Sequence, residues 1–363
     1  MTSSTPVIDQ PLPRVRTQSL NDVRAVIPPE CYRASAGRAT VALVQAALLY
    51  LAPVVGLALT NRWWMLLILW PLAGLGCVGL FVLGHDASHG ALTTSRVANR
   101  MIARACMVPG AHVESAWDLG HNRVHHGYTT RQGFDFIWHP LTVDEYRALG
   151  RLKRMQHRLE WSSLGAGMYF MRSVWWQKMW RFTPDGKRRG AILRDKISLG
   201  AIIIVITAAT VVFGALTSGW AAAIWLPIKM YVVPFLLFCQ IFGWTVYVHH
   251  VSPDIRWWSR RDWTQFKGQM ESTTILRTPR LVNRLWLHNI FVHVPHHVDV
   301  RIPFHKLPKA AAAIAAAFPG TVRSARLSMR AYFKATRACK LYDFEVGTWL
   351  PYSVARRPAP VSA

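Results

Sequence analysis

Four apolar runs constrain this chain more than any other feature. They lie at about 41–60 (VALVQAALLYLAPVVGLALT), 64–84, 198–218 and 224–248. Each approaches the roughly 20 residues that a helix needs to cross the hydrocarbon of a bilayer. In lipid every backbone N–H and C=O must be satisfied within its own segment, so helices are the expected form. Short turns separate the members of each pair, which predicts two helical hairpins. The composition agrees, with 52% hydrophobic residues, 17 Trp and only 17% charged residues. In the fourth run Pro227 and Pro234 are expected to kink the helix, and Lys229 to snorkel to the outer interface.

The formal charge is +25, which suits either nucleic acid or a membrane surface. Location decides between them. Of the 43 Lys and Arg, all but Arg62 and Lys229 fall before the first run, in 85–197 or in 251–363. With four spans these three stretches share one side, and the positive-inside rule makes that side cytoplasmic. Nucleic acid is not needed to explain the charge, and no nucleic-acid partner is expected. The five cysteines show no CxxC spacing, and read as small buried hydrophobes on a reducing face.

The expected organisation has three parts. Residues 1–38 form a polar tail whose start, MTSSTPVIDQPLPRVRTQ, reads as neither signal peptide nor anchor. Residues 39–310 form a membrane domain, and residues 311–363 a C-terminal cytoplasmic helix and tail. Within 145–197 the mixed aromatic and basic residues (YFMRSVWWQKMWRF) predict interfacial helix. Residues 309–318 predict a short Ala-rich helix, and Arg323 to Lys340 a basic helix on the anionic membrane surface.

Fifteen histidines occur, none before the end of the second run. Three clusters stand out: HDASH (His85, His89), HNRVHH (His121, His125, His126) and HVPHH (His293, His296, His297). On a helix, positions i and i+4 share a face, so His85 and His89 can meet one ion, as can His121 and His125. His126 is turned by about 100° from His125 and can reach a second ion. In the third cluster i, i+3 and i+4 converge, and Pro295 marks a helix start. Eight imidazoles exceed the four ligands of one zinc. Two ions with about four nitrogens each and open positions fit the number, and such sites suit iron and oxygen chemistry.

The set HxxxH, HxxxHH and HxxHH around two helical hairpins resembles the membrane-bound fatty acid desaturases over roughly residues 40–310. HNRVHHGYTTRQGFDF and HNIFVHVPHHVDVRIPFHKLP look like the acyl-lipid branch that introduces the omega-6-side (delta-12) double bond. The resemblance implies an all-α integral membrane protein, its four transmembrane helices carrying a helical cytoplasmic cap with a di-iron site. It implies two iron ions, dioxygen, and an acyl chain of a membrane lipid as substrate, oleoyl becoming linoleoyl. It also implies a ninth ligand at the cytoplasmic end of the fourth span, in VYVHHVSPDI, where His250 is the expected ligand and His249 its neighbour.

Ligating imidazoles usually donate their other N–H to an acceptor. Asp86, Asp118, Asp135 and Asp299 stand beside the clusters, and Asn122, His249 and His288 are further candidates for this supporting layer. His112, His139, His157 and His305 are isolated and read as surface or interface histidines. No haem-attachment CxxCH, iron–sulfur cysteine set or dinucleotide fingerprint occurs, so an external electron donor such as ferredoxin is expected. The expected location is a bacterial inner membrane, with the active site facing the cytoplasm. Two other readings stand beside the desaturase: a di-iron fatty acid hydroxylase or carotenoid oxygenase, and a polytopic metal transporter or sensor. A transporter would carry its ligands near the middle of the spans, whereas these lie at their ends.

Overall fold

The computed structural model describes residues 18–356. Four helices in it are long and apolar enough to cross a membrane: Ala36–Leu59, Trp63–Ser88, Arg189–Ser218 and Trp220–His250. They cover the four predicted runs, all but Thr60 at the end of the first, and each extends beyond its run at one end or both, because helix continues past the hydrocarbon wherever its end packs on protein. Thr60–Arg62 turns the first hairpin and Gly219 the second, with φ of 82° at the glycine.

The second span is the centre of the bundle. In it 61% of the apolar window is enclosed by protein, against 11% in the third span, which faces outward along most of its length. Small residues allow this enclosure. A Cβ on Gly76 would stand 2.6 Å from the Leu49 carbonyl, and one on Gly74 would stand 2.9 Å from Leu237 Cβ. The first and fourth spans therefore press on the second at backbone distance, as glycine permits in membrane helices.

The fourth span departs from a simple kinked helix. Between its two prolines, Ile228–Val232 is a π-helical segment, which accommodates the bonds the proline rings cannot make. Lys229 does not snorkel. It is 2% exposed, and its Nζ donates to Thr60 O (2.9 Å) and Asn61 Oδ1 (2.8 Å), capping the end of the first span. A buried ammonium needs such oxygens, since water is not there to solvate it.

Beyond the membrane the chain is mostly helical. The Ala-rich helix spans Leu307–Ala317, and the aromatic–basic stretch is helical through Phe170–Arg181. The basic segment from Arg323 is not one helix. Arg323–Arg326 is a strand (β2) parallel to Thr274–Arg277 (β1), and the helix begins only at Met329. A second small sheet pairs Leu341–Asp343 with Thr348–Leu350 in antiparallel register. The part of the expected tail covering 1–17 lies outside the described residues. The rest is folded: helix Leu20–Ala25 and the turn Pro29–Tyr32 put Leu20, Val23, Ile27 and Cys31 into one apolar cluster with Val294, Val298 and Ile314. The alternation of apolar residues within a polar stretch buttresses the helix of the third histidine cluster. That helix, His293–Val298, starts as Pro295 suggested, with the proline in its first turn.

Candidate metal centre

Four elements bring the histidines together, one of them the end of the fourth span, which carries His249 and His250. The second span ends at Ser88, carrying His85 in its last turn, with His89 as its C-cap. Helix His293–Val298 supplies the third cluster. The middle cluster lies on Asp118–His125, a π-helical segment. A π turn joins i to i+5 rather than i+4. This corrects the expected grouping: His121 shares its face with His126, and His125 turns the other way.

The imidazoles form two groups. The ligand atoms of His85, His89, His121, His126 and His296 all lie within 4.8 Å of one another, as do those of His125, His250 and His297. His293 stands beside the second group, with Nε2 3.0 Å from His297 Nε2. The third cluster is thus split, His296 to one group and His297 to the other. The separations suit metal ligation: His85 Nε2 to His121 Nε2 is 2.8 Å, His126 to His121 is 3.1 Å and His89 to His85 is 3.3 Å. Nitrogens each about 2.1 Å from one cation stand roughly 3.0–3.4 Å apart.

Proton positions carry the argument further. His125 Nδ1 faces both oxygens of Asp135 at 3.0 Å, His250 Nδ1 faces Ser272 O at 3.2 Å, and His297 Nδ1 faces Gln269 Oε1 at 2.8 Å. An Nδ1–H donated to these acceptors leaves a lone pair on Nε2, aimed inward. Burial, and then the neighbouring imidazoles, hold His121, His126, His293 and His297 well below the usual histidine range. Buried His250 Nε2, His296 Nε2 and His126 Nδ1 have no hydrogen-bond partner among the described residues. Converging lone pairs on neutral, buried rings repel one another unless a cation lies among them, so the donor set fits two metal ions.

The supporting residues divide. Asp135 is buried and also accepts from the Thr130 N–H (2.8 Å) and the Ile137 N–H (3.0 Å), which fixes its carboxylate for His125. Asp86 accepts from the Phe304 N–H at 2.8 Å and lies 3.3 Å from His85 Nδ1. Asp118 touches no imidazole; it takes Arg188 at 2.8 Å and Asn122 at 3.2 Å. Asn122 in turn donates to Ser88 O, tying the π segment to the end of the second span. Asp299 is held by Arg301 and Arg24 instead of a ring. His249 Nδ1 lies 3.0 Å from Thr274 Oγ1, and its ring stacks on His293. His288 packs on Phe304 away from both groups, in a left-handed conformation with φ of 42°. His112 and His157 are buried, not at the surface.

Gln269 was not foreseen. Besides His297, it meets Thr129 Oγ1 at 3.0 Å and donates to His126 O at 2.6 Å, joining the two groups. A lone glutamine between other polar residues carries no sequence signal. Trp117, stacked on His121 with centroids 4.4 Å apart, is equally silent in sequence. With Ile137, Phe170, Phe242 and Ile290 it walls a narrow cavity against His85, His125 and His250. Its free volume, about 20 Å³, admits about one water.

Fold and site together define an integral membrane protein with a buried double polyhistidine centre where its spans meet the extramembrane cap. A family description, fatty acid desaturase, matches residues 61–327. The chain belongs to the fatty acid desaturase family, and is an oxidoreductase. It is 27% identical over 334 residues to the sn-1 oleoyl-lipid 12-desaturase of Anabaena variabilis, covering 90% of this chain and 91% of that one. It is 26% identical over 287 residues to the chloroplastic omega-6 fatty acid desaturase of Glycine max (78% and 64%). A similarity of 26% over 296 residues relates it to the sn-1 acyl-lipid omega-3 desaturase (ferredoxin) of Nostoc sp. (strain 36), covering 82% and 80%.

Proposed function

We propose that this protein inserts a cis double bond on the omega-6 side of an oleoyl chain esterified in a membrane lipid, giving linoleoyl. Relatives named as oleoyl-lipid 12-desaturases and omega-6 desaturases support that position. The observation that carries the reading is the narrow aromatic cavity against both imidazole groups, at the membrane end of the cap. Two iron ions are the proposed cofactor. His85, His89, His121, His126 and His296 would hold one, and His125, His250, His297 and His293 the other. Bound iron supplies activation of dioxygen, so that the substrate loses two hydrogens while O2, two electrons and two further protons become two waters.

The rest of the chemistry belongs to this chain's residues. Asp135, Ser272 and Gln269 fix ring orientation and tautomer. Trp117, Phe170 and Phe242 exclude water, and these rings must part from their closed arrangement of about 20 Å³ to hold a methylene pair against the centre, the positioning that is the protein's main contribution in cofactor chemistry. Phe81 packs against Trp117 and Phe242, two rings that line the cavity, and so backs that wall. Electrons come from a reduced ferredoxin, the donor named for two relatives. The proposed setting is a bacterial inner membrane with the centre on the cytoplasmic side, and the proposed boundaries are those at residues 38 and 310.

Expression in a host without polyunsaturated lipids, followed by gas chromatography of the fatty acid esters, tests the reading. A new dienoic acid with its second double bond at position 12 is expected. A hydroxy acid, or a double bond elsewhere, would overturn it.

A further inference from the structure

Two cavities adjoin along helix Arg96–Met107. One is an open basin of about 480 Å³ beside His89, lined by Arg96, Arg100, Arg104, Arg123, Arg188 and Arg194. The other is a crevice of about 320 Å³ between helix Arg96–Met107 and the third span, lined mainly by apolar residues such as Met101, Val108, Leu199 and Ile202. Arg104 and Glu114 line both, so the two adjoin, with the Arg104 ion pairs to Asp195 and Glu114 at their boundary.

The charge of the basin is not balanced. Arg104 pairs with Asp195 at 2.8 Å and reaches Glu114 at 3.8 Å. Asp118 takes Arg188 at 2.8 Å and Arg123 at 3.8 Å. Arg96, Arg100 and Arg194 have no carboxylate within ion-pair distance among the described residues. Guanidinium groups gathered in a concave site recognise phosphate, through paired and charge-assisted hydrogen bonds. The adjoining crevice opens where Met101 (65% exposed) and Ile202 (42% exposed) face the bilayer. A polar anionic head with an apolar chain matches both parts. An acidic soluble protein would match the basin and leave the crevice unused.

The crevice also leads toward the centre. His112 forms part of its wall, and the ring stacks on Phe170 at 5.5 Å and faces Trp117 at 5.8 Å. Phe170 and Trp117 are the opposite wall of the cavity at the imidazoles. One layer of rings separates the crevice from the reacting position.

We propose that basin and crevice form the entry site of the substrate lipid, and that this lipid is an anionic glycerophospholipid. Its phosphate sits on Arg96, Arg100 and Arg194, and its acyl chain lies in the crevice and passes inward between His112 and Trp117. This rests on the desaturase reading above and adds the headgroup class and the route.

The test uses the full chain in nanodiscs of mixed dioleoyl phosphatidylglycerol and phosphatidylcholine, with products separated by headgroup by mass spectrometry. Phosphatidylglycerol is expected to be desaturated about tenfold faster, the worth of one charge-assisted contact. The triple variant R96Q/R100Q/R194Q should lose this preference, its rate on phosphatidylglycerol falling about tenfold or more, to that on phosphatidylcholine. Ala105→Trp, at an exposed position in the crevice, should slow both lipids with metal content unchanged. Equal rates in the wild type, or a preference that survives the triple variant, would overturn the proposal. So would a triple variant whose defect on both lipids disappears at saturating ferredoxin, since the basin would then dock the donor. Native mass spectrometry provides a readout apart from activity. Phosphatidylglycerol adducts are expected on the wild type and not on the triple variant, and inorganic phosphate should not displace them. Displacement by phosphate, or adducts equal on both proteins, would overturn the lipid site. Absence of all desaturation with adducts present would instead count against the desaturase reading alone.

Discussion

His121 and His126 are five residues apart, and their Nε2 atoms lie 3.1 Å from each other. An α-helix would not align them; the π-helical Asp118–His125 does. His125 is thereby freed for the other group, where its ring lies 4.8 Å from that of His250. A single irregular helix thus supplies imidazoles to both groups.

This division gives the first expectation. His121→Ala and His125→Ala should each remove one ion, leaving about one iron per chain where the full protein holds about two, because each group keeps its own donors. Both variants should lose desaturation. Plasma emission spectrometry on purified protein checks the metal. Loss of both ions from either variant, or of neither, would contradict separate groups.

Asp135 gives the second. Its carboxylate orients His125 and ties down two backbone N–H groups. Asp135→Asn should cost about 10–100-fold in activity, the usual size of a supporting-layer loss. Gln269→Leu should fall in the same range, since His297 Nδ1 loses its nearer acceptor and keeps only Thr129 Oγ1 at 3.2 Å. Iron titration should show weaker retention in both. Full activity in either would mean that the ring orientations are set by packing alone.

How far the sequence reveals these features follows from the physics of each. The spans are legible because hydrocarbon forces continuous apolar residues, and the histidine clusters because ligation forces close spacing. His121 with His126 is not legible, because the π turn depends on Asn122 holding Ser88 across 34 positions in the chain. Gln269, Ser272 and Thr274 act singly and from a distance, so no local pattern marks them. Lys229 is misread for a related reason: its oxygens come from the end of another helix. Residues 20–32 look like tail until the apolar face of the third-cluster helix is there to receive them.

The ninth ligand is the third expectation. Both rings have Nδ1 engaged and Nε2 unpartnered, but the ligand atom of His250 lies within 4.8 Å of those of His125 and His297, whereas His249 falls in neither group and stacks on His293. His250→Ala should lose one iron and all activity. His249→Gln should keep both ions and lose about 10–100-fold at most, as a residue that supports a ligand. The opposite result would exchange the two assignments.

Glu114, at the junction of basin and crevice, gives the last. Burial, and then repulsion from Asp195 and more weakly from Asp118, push its carboxyl up to about 7, against the pull of Arg104 and Arg100. Its ordinary value is 4.5, so the folded protein holds this proton more tightly than the unfolded chain does. The stability it contributes is therefore complete below about pH 4.5 and is lost as pH rises through about 7. Glu114→Gln keeps the shape and removes the titration. At about pH 5 the two proteins should melt together, and at about pH 8 the wild type should melt lower, by the ionisation of a mostly buried carboxylate beside Asp195. Thermal melts of the purified protein across that range decide it. Parallel curves would mean that Arg104 keeps Glu114 ionised throughout, and the junction would then carry one more fixed negative charge against an incoming anionic lipid.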